Sequence, residues 1–490
     1  MGTPEVVIAG RSFTEEDQRE FARASGDRNP IHIDPVAARR TAAGATVVHG
    51  MHAVLWALES LLASGTMPYR PGRLDVRFKR FVPVGAPLRL VRRDRAGQVR
   101  VVAMCRDMPS IQVTLAPGPS RIDADLDATG LAMVEPGVAP LELAREAMAA
   151  SAGRLGAPAD PSWLAARFPR CAATLGPGVV GSLARLSTLV GMVCPGLHSV
   201  FSGLVVDLAP ADDAGLGFRC TAIDWRFGLV ELAVAGPGIA GAVQAFVRQP
   251  PVPGIAMREA VAMVDPSEFA GLHAWVIGGS RGLGAASAKL LAAGGARVWI
   301  SHAAGREDAL GVAADIASAR GRGACETLHF DVRQAPGEQL RERLPPIDQV
   351  YYFASPTIHR QKAAGFSQAL FEEFRQYYVD GLRRTVCHEA LRPRRDVVGV
   401  FYPSSAFIDS RPAGFAEYVA AKLAGETLCL ELEREVPHVR CISERLPPVL
   451  TDQNAGAEPG RCQDAARSML PHLRSMRRLC GGADARAARA

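Results

Sequence analysis

An aspartate and a histidine stand five positions apart in Gly26-Asp27-Arg28-Asn29-Pro30-Ile31-His32, and Val48-His49-Gly50-Met51-His52 begins sixteen residues further on. A carboxylate and an imidazole sharing one water can deprotonate it and protonate a carbon. Adding water to a double bond beside a thioester needs those two roles, and removing it exchanges them. The thioester oxygen gains charge on the way, and the N–H groups at a helix N-terminus can stabilise it. Gly50, at the expected start of an apolar helix, would let an acyl group approach the backbone closely. Taken singly, Asp27 would more commonly cap a turn and His32 would be a satisfied polar residue. The combined string is far more specific.

A second set lies near the other end. Gly278-Gly279-Ser280-Arg281-Gly282-Leu283-Gly284 directly follows a predicted strand and opens a predicted helix, where glycines allow a tight turn and close approach of a pyrophosphate to the helix N-terminus. Ser405 and Tyr418-Val419-Ala420-Ala421-Lys422 follow. Tyr418 and Lys422, four apart, share one helix face. A phenol can protonate a carbonyl that receives hydride, a nearby ammonium lowers the phenol pKa and can hold a ribose, and a serine hydroxyl orients the carbonyl. Ser404 is an adjacent candidate for that last role. Only four of the 56 basic residues are lysines, Lys79, Lys289, Lys362 and Lys422, so chance seldom places one here. Both chemistries meet at a β-hydroxyacyl thioester.

The elements that must position these groups can be read in outline. Thr14, followed by Glu15, Glu16 and Asp17, opens a helix over 13–24, and 49–62 reads as a long apolar helix. Strand-like stretches at 74–81, 88–93, 99–106 and 110–115 give one buried helix wrapped by antiparallel strands, the pattern of a hot-dog fold. Helical pieces are expected over 141–152. A weaker echo follows: a helix-like stretch at 183–200, broken at Pro195-Gly196, then strands at 204–208, 217–225, 229–235 and 240–247. The echo lacks the Asp-x-Asn-Pro-x-His cluster, which predicts a second, non-catalytic hot-dog unit. Pro250-Pro251-Val252-Pro253-Gly254 marks a boundary. From 274 onward, strands at 274–277, 297–300, 326–330, 349–353, 397–402 and 439–444 alternate with helices, the signature of a Rossmann-type doubly wound parallel sheet. The expected domains are 1–120, 121–255 with its connector, 265–455, and a partly disordered tail over 456–490, giving a multidomain α+β and α/β chain.

Length and composition agree: 490 residues exceed one ordinary domain, and 48% hydrophobic with 22% charged residues fits a globular protein. A net charge of +6 without a basic, aromatic-laced cluster argues against nucleic acid as a partner. No apolar run is long enough to predict a membrane span, the N-terminus lacks the order of a signal peptide, and ten scattered cysteines without Cys-x-x-Cys read as reduced thiols of a cytoplasmic protein with no metal site.

The first motif set, with Phe81-Val82-Pro83-Val84-Gly85, resembles the MaoC-like, (R)-specific enoyl hydratase/dehydratase family over about residues 10–115. That resemblance implies catalytic roles for Asp27 and His32 and an oxyanion-hole role for Gly50. Related double-unit enzymes would carry the motif in the second unit, whereas here it is in the first. The second set resembles the short-chain dehydrogenase/reductase family over about 272–453. Carried across, Tyr418 is the catalytic acid/base, Lys422 its partner and a cofactor contact, Ser405 the carbonyl-orienting residue, and Asp331 an adenine contact, with Gly278, Ser280, Arg281, Gly282, Leu283 and Gly284 around the phosphates. The family's Asn-Asn-Ala-Gly is replaced by Tyr352-Phe353-Ala354-Ser355, its helix asparagine by Asp380, its Pro-Gly by Pro447-Pro448, and no last strand is expected beyond Thr451. Ile300-Ser301-His302 offers no carboxylate to a ribose, and Arg281 could pair with a 2′-phosphate, so NADPH is expected in preference to NADH. The resemblances together imply a homodimeric enzyme acting on acyl-CoA or acyl-carrier-protein thioesters. It would reduce a 3-oxoacyl thioester and dehydrate the (3R)-hydroxy product. The alternatives are hydration followed by oxidation in acyl degradation, or one active domain beside an acyl-binding or assembly module.

Overall fold

The computed structural model describes residues 6–41, 43–94, 97–118, 126–128, 130–340, 344–358, 365–389, 391–452 and 462–481. The chain divides into two compact units, Met1–Pro250 and Pro251–Ala490.

The first unit is built on one ten-stranded antiparallel sheet. Its strands are β1 (Val6–Ser12), β2 (Arg73–Phe78), β3 (Pro87–Arg92), β4 (Val99–Cys105), β5 (Met108–Ala116), β6 (Ala152–Leu155), β7 (Ser199–Leu208), β8 (Leu216–Asp224), β9 (Leu229–Gly236) and β10 (Ile239–Val247). They lie in the order β1-β3-β4-β5-β2-β7-β10-β9-β8-β6. The order reads the same from both edges once β1 to β5 are matched with β6 to β10, so the echo in the sequence is a structural repeat, joined where β2 pairs with β7. Residues 1–120 and 121–255, distinguished in the sequence, thus share one sheet.

Each half wraps an apolar helix. Gly50–Ala63 is buried along most of its length, from Met51 through Leu58 and at Leu61. Its counterpart runs Pro177–Thr188 and continues as one wide turn, Leu189–Val193, before Pro195, whose missing N–H ends it. The expected helix over 141–152 reduces to Arg145–Ala149, because the chain then pairs Ala152–Leu155 with β8. β1 and β6 were not expected: β1 is an edge strand with little burial, so it carries no strong alternation, and β6 spans four residues.

The second unit holds six parallel strands: β11 (His273–Ile277), β12 (Arg297–His302), β13 (Cys325–His329), β14 (Gln349–Tyr352), β15 (Val398–Ser405) and β16 (Val439–Leu446). Their order, β13-β12-β11-β14-β15-β16, reverses direction between β11 and β14, where open α/β sheets bind ligands at the strand C-termini. The segment expected as a partly disordered tail contains one long helix. Ala465–Gly481 forms a helix that buries Met469, Leu473 and Met476 against the sheet's core. Gln349 Nε2 donates to Met476 O (2.8 Å), and Tyr351 donates to Gln349 Oε1 (2.8 Å), which pins the helix. Residues 453–461 and 482–490 lie outside the described residues. Among the described residues no single helix is long and apolar enough to cross a membrane. Pro169–Leu175 and Pro177–Val193 pass only as a pair bent by 114°.

Candidate functional site

The first motif is placed by capping. Thr14 and Asp17 form a capping box at the start of Glu15–Ser25, and Gly26, at φ 90°, ends that helix in the left-handed region and turns the chain into the Asp27 loop. Asn29 then caps Pro30–Ile33 by accepting from Ile31 N, with Pro30 supplying the preset φ of a first helical residue. His32 is thereby set one short turn from Asp27, with its Nδ1 2.8 Å from Val47 O. Its ring stacks on His49 with centroids 3.9 Å apart. One carboxylate oxygen of Asp27 and ring nitrogens of His32 and His49 all lie within 4.8 Å of one another.

That trio also has the composition of a metal-binding set, where none was expected. Both ring nitrogens of His49 already face oxygens, Nε2 to Asp27 O (3.1 Å) and Nδ1 to Gln18 Oε1 (3.0 Å), so ligation would cost one of those contacts.

Burial dominates the electrostatics. Asp27 is 1% exposed, and desolvation raises its pKa against the pull of His32, Ser187 and the Asn29 N–H. Desolvation lowers His32, opposed by Asp27, and lowers His49 further. An acid raised and a base lowered converge, which makes proton exchange between the two easier.

Sequence reasoning missed what holds Asp27. Ser187 Oγ donates to Asp27 Oδ2 at 2.6 Å, Thr188 Oγ1 to Ser25 O at 2.7 Å, and Arg185 Nη1 to Ser25 O at 3.1 Å. All three come from the helix of the second repeat. Asn29 Nδ2 donates to Gly191 O at 2.8 Å, and a Cβ on Gly191 would stand 2.4 Å from Asp27 Oδ1. The available signal was Ser187-Thr188, two hydroxyls inside an apolar run. Gly50 opens its helix with N–H groups that have no intrahelical acceptor. The space expected there for an acyl group is shared with Phe78, whose Cε1 would be 2.8 Å from a Cβ at position 50. Phe78 in turn packs on Phe201 of β7, with ring centroids 4.9 Å apart.

In the second unit the glycine loop joins β11 to Gly282–Ala293. Gly278 has φ 77°, and a Cβ on Gly284 would lie 2.3 Å from Gly278 O, so this loop admits no side chain there. The first N–H groups of the helix, on Gly282, Leu283 and Gly284, are left for an anion, with Ser280 half-buried beside them. A dinucleotide pyrophosphate fits this cradle. Arg281 is already engaged: Nη1 lies 2.9 Å from Asp452 Oδ2 and Nε 3.7 Å from Asp308 Oδ2. Asp331, expected at an adenine, is clasped by Arg333 through Nε at 3.0 Å and Nη2 at 2.7 Å.

Tyr418 and Lys422 lie on Ala416–Glu435, and Ser405 ends β15. Burial raises the Tyr418 pKa, and the hydrogen bond with Ser405 opposes it. Ser404 points elsewhere, donating to Glu426 Oε1 at 2.5 Å. Lys422 donates to Pro403 O at 2.7 Å, and its ammonium sits over the rings of Tyr378, Tyr402 and Tyr418 at 4.0, 4.8 and 6.0 Å. Desolvation lowers its pKa to about 7, opposed by Cys429 and Glu426, and the ring faces add to what favours the cation. Asp380, expected in place of the family's helix asparagine, pairs with Arg375 at 2.9 Å. The wide turn Gln376–Asp380 presents Tyr378 there, with its hydroxyl 2.7 Å from Ser355 Oγ.

These two geometries coincide with two family models. The model described as a MaoC like domain matches residues 2–102, and that described as short chain dehydrogenase matches 272–460. The chain is a fusion of these two domains. Among solved structures, it is similar to a short-chain dehydrogenase from Shigella flexneri (21% identity, 44% of this chain and 90% of that one, TM-score 0.39). It is also similar to one from Salmonella enterica serovar Typhi (19%, 44% and 93%, TM-score 0.39) and to an oxidoreductase from E. coli (22%, 46% and 94%, TM-score 0.39). A search of curated proteins finds no match. The MaoC-like domain contains Asp27, His32 and Gly50, and the dehydrogenase domain contains the glycine loop, Ser405, Tyr418 and Lys422.

Proposed function

We propose that the dehydrogenase domain reduces a 3-oxoacyl thioester to the (3R)-hydroxyacyl thioester, and that the MaoC-like domain removes water from it to give the trans-2-enoyl thioester, in assembly of an acyl chain. The observation that carries this is the buried Asp27 carboxylate beside the His32 imidazole, with the open N-terminus of Gly50–Ala63 next to them. In dehydration, one of the pair takes the proton from the α-carbon and the other protonates the departing hydroxyl. The Gly50 N–H steadies the thioester oxygen as it gains charge. In the other domain, Tyr418 gives its proton to the carbonyl oxygen, Ser405 orients that carbonyl, and Lys422 supplies positive charge behind the phenol.

A nicotinamide dinucleotide would supply the hydride, held by the loop from Gly278 to Gly284. NADPH is favoured over NADH because no carboxylate follows Ile300 in the sequence and Arg281 stands in the glycine loop. A 2′-phosphate would compete with Asp308 and Asp452 for Arg281, so the preference is modest, about tenfold in kcat/KM. A tenfold preference for NADH would overturn it.

The deciding measurement is product mass spectrometry after incubating purified protein with NADPH and a panel of 3-oxoacyl thioesters. Product one water lighter than the hydroxyacyl species supports both activities in this order. A second reading, a dehydrogenase domain without turnover, draws on the Tyr378 ring at 4.0 Å from the Lys422 ammonium, which leaves that lysine little room for a ribose. Its outcome is recovery of unchanged 3-oxoacyl thioester while added trans-2-enoyl thioester is still hydrated.

A further inference from the structure

Arg248 follows β10 at the end of the second repeat. Its backbone N–H donates to His198 O at 2.7 Å and its Nη2 to Leu197 O at 2.8 Å. The same Leu197 oxygen lies 3.4 Å from Asn29 Nδ2. One carbonyl therefore joins the guanidinium to the loop that carries Asp27 and His32. The charge reaches His32, whose protonation it opposes.

Arg248 is half-buried, and its Nε–H is buried with no acceptor. Among the described residues no carboxylate pairs with it, and burial is the one influence on its pKa, downward. Arg11 and Arg185 of the same unit are satisfied, by Asp17 and by Ser25 O with Gly156 O, while Arg100, like Arg248, has a buried Nε–H without an acceptor; what sets Arg248 apart is its link to the Asp27 loop. A partly desolvated cation without a counter-charge destabilises the fold unless something supplies the anion. Proton transfer between Asp27, His32 and water has no use for a fixed positive charge that disfavours the imidazolium. Guanidinium geometry suits carboxylate and phosphate oxygens.

We infer that Arg248 recognises an anionic oxygen group borne by the thioester substrate of the MaoC-like site. The inference rests on the dehydratase reading. The anion is a carboxylate on the acyl chain or a phosphate on the pantetheine carrier.

Four probes separate the two sources: trans-2-butenoyl and its 4-carboxy counterpart, each as the coenzyme A and the N-acetylcysteamine thioester. Hydration is followed on the full chain with Arg248→Gln and Arg248→Lys, after thermal melting shows that both variants fold. The glutamine variant should raise KM about ten- to a hundredfold for anion-bearing probes with kcat within about twofold, and lysine should restore part of it. A penalty on both carboxy-acyl probes, whatever the carrier, assigns the acyl carboxylate. A penalty on both coenzyme A probes, whatever the acyl group, assigns the phosphate. An equal penalty on all four, or none on any, overturns the inference. If the wild-type chain hydrates no probe, the dehydratase reading fails separately. Equilibrium binding of the same probes then decides: loss of anion-selective affinity in Arg248→Gln sustains the recognition role, and unchanged selectivity overturns it.

Discussion

Asp27 and Lys422 are both almost withdrawn from water, 1% and 6% exposed, and are stabilised by opposite means. The carboxylate is held by directed donors, Ser187 Oγ from the second repeat and the Asn29 N–H from its own loop. The ammonium is held by one carbonyl and three ring faces, all from its own domain. Hydrogen bonds weaken steeply away from their preferred geometry, so the Asp27 site is sensitive to displacement. Attraction to a ring face falls off gently, so the Lys422 site depends more on having the rings than on their exact placing. The difference also gives the second repeat a part in this site: a lone hot-dog unit would leave the aspartate without Ser187.

The largest expected effects separate the two sites. Asp27→Asn should lower dehydration about 10²–10⁴-fold with reduction intact, and Tyr418→Phe should do the converse. Loss of both activities in either variant would mean that the domains do not act independently. Next is Gly191→Ala, whose Cβ would meet Asp27 Oδ1 at 2.4 Å. It should cost about 1–3 kcal/mol of stability and about a hundredfold in dehydration, leaving reduction unchanged; normal dehydration kinetics would show that the aspartate has room to move.

His52 sharpens the contrast through pH. It is buried with both ring nitrogens unpartnered, stacked on Phe21 at 4.6 Å, and burial lowers its pKa from 6.5 to about 3. Between those values the unfolded chain binds a proton that the fold refuses, so stability present above pH 6.5 is lost as pH falls toward 3. Thermal melts should show His52→Leu escaping about 2 kcal/mol of the wild-type loss between pH 7 and pH 5. An identical acid sensitivity in both proteins would count against a neutral His52.

Smaller effects probe the individual partners. Ser187→Ala removes a donor from the ionised carboxylate, so the Asp27 pKa rises further. The acidic limb of the dehydration profile should move to higher pH, with about a tenfold loss of kcat/KM. An unmoved limb would limit Ser187 to packing. Tyr378→Leu removes the nearest ring face, worth about 0.5–2 kcal/mol to the cation, and should lower the Lys422 pKa below about 7. The alkaline fall of reductase activity should then begin at lower pH.

Much of the local architecture was legible along the chain. The Thr14 cap, the helix beginning at Gly50 and the glycine loop after β11 are set by neighbours in sequence, because capping, apolar periodicity and steric freedom at glycine are local. Ser187, Gly191, Arg248 and Phe78 were not legible as site residues. The Ser187 contact spans 160 positions and exists only because β2 pairs with β7. Tyr378 was hidden for another reason. Alignment by spacing favoured Asp380, but the wide turn Gln376–Asp380 inserts an extra residue and rotates the tyrosine toward Lys422.

By itself, then, the sequence determined which two kinds of domain the chain joins and on which elements the motif residues stand, since residue type and short-range geometry suffice for that. Only the tertiary structure decided which groups surround the candidate ones: Ser187 and Gly191 against Asp27, the tyrosine rings around Lys422 and the carboxylates on Arg281. Those partners meet through strand pairing and burial across long stretches of chain, and desolvation at the meeting points, not sequence spacing, sets the charge each reacting group can hold.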